Sequence, residues 1–252
     1  MGVFLDAYPY ANGVNLSPEL HRTPALLTPK SAPAATAAIG VSAAVVVVVF
    51  GLLAARTAPV THFDLVVSQA LNSLHTGPLG VLGSAAYVIF GPAPAIAVTL
   101  VIAAVMWVVS RNLRVSVTFG AVVAVTWLPS AVVKLIVDRP RPNPALLSHP
   151  FASQPVDASY PSGHAVFVTA LVVALVLLTR GRAIRPLVTV LGGLLVALVV
   201  FLLVVDGVHY LTDVLASVLW SIGLAPLVLE VWNRVVLPRT YRRRPTVRKA
   251  SE

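Results

Sequence analysis

Three short polar stretches interrupt a chain that is 58% hydrophobic: Lys134-Leu-Ile-Val-Asp138-Arg139-Pro140-Arg141-Pro142, Tyr160-Pro161-Ser162-Gly163-His164, and Asp206-Gly207-Val208-His209-Tyr210-Leu211-Thr212-Asp213. Lys134 precedes Arg141 by about two helical turns, so a persisting helix puts both cations on one face, although Pro140 and Pro142 bend that geometry. Two fixed cations suit a phosphate, and the arginine fork can grip two oxygens. The plain alternative pairs Lys134 with Asp138 at i, i+4 and leaves the arginines to lipid headgroups. Pro161 to His164 reads as the start of a helix. Proline fits the first turn, the free N–H groups and positive dipole end attract an anion, and Gly163 lets the backbone come close. His164 is either an acid–base group or a structural histidine hydrogen-bonded at the interface. His209 and Asp213 stand four apart on one helix face. The carboxylate there can accept from one imidazole nitrogen and leave the other free, as for a nucleophile or base with its orienting acid; the alternative is a pair that neutralises two polar residues inside a bundle. Ionisable residues in membrane spans are costly and point to function, and three such stretches together favour the functional reading.

The elements that must position these residues are membrane helices. The 252 residues carry few charged side chains (11%), and the mean hydropathy is +0.89. That composition indicates one integral-membrane domain. There is no cysteine, which excludes a disulfide framework and a thiolate metal site. Residues 1–33 are proline-bearing and aperiodic and read as a disordered tail. Ala34 to Ala55 is uncharged and long enough for a first span, and its apolar core exceeds the ~7–15 residues of a cleaved leader. Arg56 to Pro78 reads as an interfacial amphipathic helix, with Phe63, Leu65, Val66, Val67, Ala70, Leu71 and Leu74 roughly on one face. A short approach segment and the Gly91-Pro92-Ala93-Pro94 break then lead to a second span over about Ala93–Val109. Further spans follow at Val115–Val137, interrupted by Pro129, at Ser162–Thr179, at Pro186–Val205 and at His209 to about Val231. The expected fold class is an all-α integral membrane protein, a bundle of six transmembrane helices over residues 34–231, followed by a basic tail at 232–252.

Lys and Arg in short loops set orientation. The two tails, Arg111 with Arg114, and Arg180 with Arg182 and Arg185 alternate with loops poor in both. The basic segments, including both termini, are therefore expected on the cytoplasmic side of the plasma membrane. Arg139 and Arg141 breach this rule on the outer side, where all three polar stretches meet, and so need a local reason. The net charge of +9 is thus mostly topological, and the tail cluster Arg242, Arg243, Arg244, Arg248 and Lys249 fits anionic lipid headgroups rather than nucleic acid. His62 and His75 have no partner at metal-ligand spacing, so no metal and no cofactor is assigned. The oligomeric state is left open.

On these motifs the chain resembles the type 2 phosphatidic acid phosphatase superfamily of membrane lipid phosphatases. That family's pattern is a lysine, six residues and Arg-Pro; then Pro-Ser-Gly-His; then Ser-Arg, five residues, histidine, three residues and aspartate. Lys134 to Pro142 and Pro161 to His164 fit in full, whereas the third motif has Leu202 and Leu203 where the family has Ser-Arg. The resemblance implies a metal-independent two-step mechanism. His209 attacks phosphorus to give a phosphohistidine and Asp213 orients it, while His164 protonates the leaving oxygen. Lys134, Arg141 and the Ser162–Gly163 backbone bind the phosphoryl oxygens. Without the third-motif arginine, phosphate binding loses roughly ten- to a hundredfold unless another group replaces it; Arg139 is the nearest candidate. Asp206 is expected to cap the last span and point away from the site. The loop 143–159 (Asn143, Pro144, His149, Pro150, Phe151, Asp157) is expected to form a lid or an entry wall, and nothing in it reads a headgroup.

The function implied is hydrolysis of a lipid phosphate or diphosphate, of the polyprenyl diphosphate or phosphatidate type. The alternatives are a phosphotransferase using an alcohol acceptor, and a catalytically weakened member that binds a lipid or a partner.

Overall fold

The structure, a computed structural model, describes residues 33–153, 155–179 and 181–237. The expected N-terminal tail up to residue 32, Arg180 and the basic C-terminal cluster lie outside the described residues. Within them the chain is helical, with no strand: α1 (Pro33–Arg56), α2 (Ala58–Asn72), α3 (Gly77–Ile89), α4 (Pro92–Ser110), α5 (Leu113–Trp127), α6 (Ser130–Val137), α7 (Gly163–Leu178), α8 (Ile184–Val205) and α9 (Leu211–Val231).

Among the described residues, five stretches are long and apolar enough to cross a membrane: α1, α4, α5 together with α6, α8, and α9 with its extension to Val236. Pro129 separates α5 from α6, because it cannot donate to the turn before it. The helix expected as the fourth of six spans, α7, has only 16 residues. At ~1.5 Å per residue it is about 24 Å long, against a hydrocarbon core of ~30 Å. It is the helix least exposed to lipid. Phe167 and Leu171 share a cluster with Phe119 and Val122 of α5, Val168 and Val172 with Val199 and Leu203 of α8, and Val166 with Val47 of α1 and Trp220 of α9. A helix walled in on all sides can be shorter than the bilayer because its neighbours cover its ends.

Two details of the helices differ from the sequence reading and matter for the site. The buried residues of α2 are Asp64, Ser68 and Asn72, while Phe63 and Val66 are exposed. Its polar stripe therefore faces the protein while Phe63 and Val66 face outward, an orientation that costs little where the surroundings are as apolar as a leucine side chain. The last helix starts at Leu211 behind the N-cap Tyr210, so His209 sits on the α8–α9 turn and not on a helix. That turn depends on Gly207, whose φ of +70° lies in the left-handed region and whose missing Cβ leaves room for Leu147.

The α6–α7 loop is stitched at its base. The Ser159 N–H donates to the Arg139 carbonyl at 2.7 Å, and the Ser159 hydroxyl donates to the Pro140 carbonyl at 3.1 Å. Tyr160 is fully buried and donates its hydroxyl to the Val47 carbonyl at 2.6 Å. Its ring fits against Gly51, where a Cβ would come within 2.3 Å of it. The Tyr160–Pro161 peptide is cis.

Candidate active site

The three polar stretches converge on one end of α7. Helix α6 stops at Asp138, which takes a left-handed C-cap conformation (φ 45°), so Arg141 reaches the site from a non-helical segment. The two cations meet through a third residue instead of along a helix face. One oxygen of the Asp157 carboxylate pairs with Lys134 Nζ, and the other accepts from Arg141 Nη2 at 2.7 Å. Arg141 Nε also donates to the Asp157 carbonyl at 2.9 Å. Lys134 thus pairs with Asp157 and not with Asp138, which is exposed. Burial by itself would raise the Asp157 carboxyl, but the hydrogen bonds from Lys134 and Arg141 outweigh it and hold the group at about 2.

The far side of the Arg141 guanidinium faces the histidine. Its Nη1 donates to the Val208 carbonyl at 2.5 Å and lies 3.3 Å from His209 Nε2. Arginine can only donate, so Nε2 presents its lone pair and the ring proton sits on Nδ1. Nδ1 lies 3.8 Å from Asp213 Oδ2, an ion-pair distance longer than a hydrogen bond. His209 and Asp213 are therefore neighbours, but across the α8–α9 turn and not on one helix face, and without the expected hydrogen bond between them; the lone-pair nitrogen is turned to Arg141.

Asp213 has further partners that the spacing does not reveal. Its Oδ2 accepts from the Tyr210 backbone N–H at 2.9 Å, and its Oδ1 accepts from Arg139 Nη1 at 2.6 Å. Arg139 is 1% exposed. It also bonds Asp64 Oδ2 of α2 through Nη2 at 2.7 Å and the Thr212 hydroxyl through Nη1 at 2.8 Å, and its guanidinium carbon lies 4.3 Å from the centre of the Tyr210 ring. Asp64 in turn accepts from the Thr212 hydroxyl. Arg139 consequently does not replace the missing third-motif arginine, because two buried carboxylates occupy it. Asp64 is the residue that sequence reasoning missed. Its signal was the polar spacing of four, Asp64, Ser68 and Asn72, on a helix read mainly for its apolar face.

At the α7 end, Ser162 is the N-cap, and its side chain accepts from the Ala165 N–H at 3.3 Å. Its own N–H donates to Ser217 of α9 at 2.8 Å. Pro161 therefore lies just outside the helix and not in its first turn. A Cβ on Gly163 would meet nothing nearer than Trp127 Nε1 at 3.9 Å, so packing does not demand glycine there. His164 Nε2 donates to the Tyr87 carbonyl at 3.0 Å, since a carbonyl can only accept, and this leaves Nδ1 as the nitrogen with a lone pair.

Leu202 and Leu203 are each 1% exposed and packed within the bundle. The expected role of Asp206 is overturned. It ends α8 and does not cap α9, whose N-cap is Tyr210. Its buried carboxylate lies 3.3 Å from His75 Nε2. The capping position goes to Tyr210 because Gly207 turns the chain immediately after Asp206, leaving the aspartate one helix too early. Nearby, Asn72 ties α2 to the loop and to α8, donating to the carbonyls of His149 and Val205 at 2.9 Å each.

Fold and site together define an all-helical membrane bundle with an anion-holding cation pair beside a buried histidine. Residues 114–236, which contain all three motif stretches, match the sequence model of the PAP2 superfamily. A crystal structure described as the first transmembrane PAP2-type phosphatidylglycerolphosphate phosphatase, from Bacillus subtilis, has the same fold, with a TM-score of 0.63 and 21% identity over 81% of this chain and 98% of that one. No curated protein matches the sequence. The family match and the shared fold make this a multi-pass membrane protein and support a function of the phosphatase type.

Proposed function

We propose that the protein hydrolyses a lipid phosphomonoester or diphosphate through a phosphohistidine on His209. The observation that carries this reading is Arg141, which joins the histidine to the anion-holding cation: one arm lies 3.3 Å from His209 Nε2, and the other, with Lys134, holds a carboxylate. A phosphoryl group on the same two cations lies within reach of the Nε2 lone pair. Attack forms the N–P bond and expels the lipid alkoxide or phosphate, which takes a proton from protonated His164. Water then cleaves the N–P bond. Asp213 faces the Nδ1 side and offsets the charge that develops on the ring, and Lys134, Arg141 and the Ser162–Gly163 backbone stabilise the phosphoryl oxygens. The site lies on the outer face in the six-span arrangement, with both termini cytoplasmic and the protein in the plasma membrane.

A lipid substrate is favoured by an apolar cavity of about 620 Å³ walled by α7, α8 and α9, whose lining includes Val172, Gly193, Phe201 and Leu215 and extends to Leu211, two residues past His209. It suits a hydrocarbon chain, of a polyprenyl diphosphate or of a phosphatidate-type lipid. The Bacillus subtilis protein of like fold is a phosphatidylglycerolphosphate phosphatase, which places that phosphomonoester in the test panel. The decisive experiment measures phosphate release from monophosphate and diphosphate lipids by the purified protein, His209→Ala and His164→Ala. Release by the wild type alone is expected. Equal release by His209→Ala removes the phosphohistidine, and no release from any lipid removes the hydrolase. Addition of an alcohol acceptor separates hydrolysis from transfer.

A further inference from the structure

We infer that Asp157 is an internal competitor for the phosphate cradle, a carboxylate that holds Lys134 and Arg141 between turnovers and returns to them as inorganic phosphate leaves. The inference rests on the reading of those two cations as the phosphate site. Asp157 presents two oxygens on one carbon, one to each cation, which is how a phosphoryl group would present two oxygens on one phosphorus. It occupies the arm of Arg141 next to the arm that faces His209, so the carboxylate and a bound phosphoryl group cannot share the position. The charges agree. Lys134, Arg141 and Asp157 sum to +1; a phosphate dianion added on top leaves −1, whereas replacement of the carboxylate leaves zero, and like charges at this distance repel.

The same geometry makes displacement easy. The Asp157 side chain is 54% exposed and sits on the α6–α7 loop, so it can swing into water, where a carboxylate is well solvated, without opening the core. Arg141 keeps its bond to the Val208 carbonyl and stays in place meanwhile. Lys134 and Arg141 therefore always have an anion. Phosphate departs by exchange, avoiding two uncompensated cations, and the product leaves faster than it would from a cradle without a competitor. Asp157 acts through the cations and touches no reacting atom, so it is a positioning residue.

The test uses the full chain in detergent micelles and inorganic phosphate as the probe, titrated calorimetrically at about pH 8, above the second phosphate ionisation. Asp157→Asn and Asp157→Ser remove the charge at an exposed loop position, and two different replacements guard against an accident of either. Both should bind phosphate about three- to tenfold more tightly than wild type, a range set by the modest strength of half-exposed ion pairs. The KM for a short-chain phosphatidate should fall by a similar factor without a rise in kcat, while Asp157→Glu should stay close to wild type. Equal phosphate affinity in wild type and both neutral variants overturns the competitor and leaves the phosphatase reading standing. Weaker binding by the variants does the same, and makes Asp157 a support of the cradle. No phosphate binding by any of these proteins overturns the cradle itself, and the competitor with it.

Discussion

Arg139 and Arg141 are two residues apart on one segment and have opposite surroundings. Arg139 is sealed in the bundle between Asp64 and Asp213. Arg141 lies at the mouth of the site, with a half-exposed partner. Both are arginine–carboxylate pairs, yet only one can exchange its anion. Burial removes water as a competitor, so that breaking the Arg139 pairs strands charges in a low-dielectric interior, whereas Asp157 can trade Arg141 for solvent. The first arginine is thus architecture, pinning α2 and the start of α9 behind His209, and the second is the one proposed to bind phosphate.

The sharpest way to break this contrast is to remove each arginine in turn. Arg139→Gln leaves Asp64 and Asp213 without their shared cation and should cost about 3–5 kcal/mol, read as a large fall in thermal midpoint or in the yield of monodisperse protein. Retention of wild-type stability would show that the buried pairs do not hold the helices together. A smaller loss is expected from Leu203→Arg, which restores the family residue: the position is walled by Val168, Val172 and Val204, and a charge there should cost about 2–4 kcal/mol. Should this variant instead release phosphate faster than wild type, the protein is a weakened family member that lacks only this arginine.

Arg141→Gln should fold nearly as well as wild type and bind phosphate about ten- to a hundredfold more weakly, the worth of a charge-assisted hydrogen bond; titration of inorganic phosphate checks it. The smallest effect concerns pH. Asp157 is held at about 2, below its ordinary value of 3.8, so its ion pairs are complete above the ordinary value and are lost only as pH falls through about 2. The ratio of phosphate affinities between Asp157→Asn and wild type should therefore be the same at about pH 5.5 and about pH 8. A ratio that collapses towards the acid end would mean that the carboxylate is far less tightly held.

Much of the architecture was legible in the chain, for reasons that are local. Long uncharged runs such as Ala34–Ala55 become helices because hydrocarbon offers the backbone no other hydrogen-bond partner. The breaks at Pro92 and Pro129 follow from proline's missing donor. The spacing of four put His209 near Asp213, although the helix that this spacing assumed begins only at Leu211. In each case, cause and effect lie within one or two helical turns.

What only the tertiary structure decided are the partners separated by many residues along the chain. Sequence places Lys134 beside Asp138, but the αL turn at Asp138 carries the chain away and the loop brings Asp157 back to it. It offers Arg139 as a substitute phosphate ligand, but Asp64, 75 residues earlier, claims that guanidinium first. It gives Asp206 to the start of α9, and Gly207 ends that possibility by turning the chain. The sequence determined which side chains could do chemistry and on which helices they begin. Which charge meets which was settled by packing, because ion pairing depends on distance in space and on exclusion of water, and neither is written in the spacing of residues along a chain.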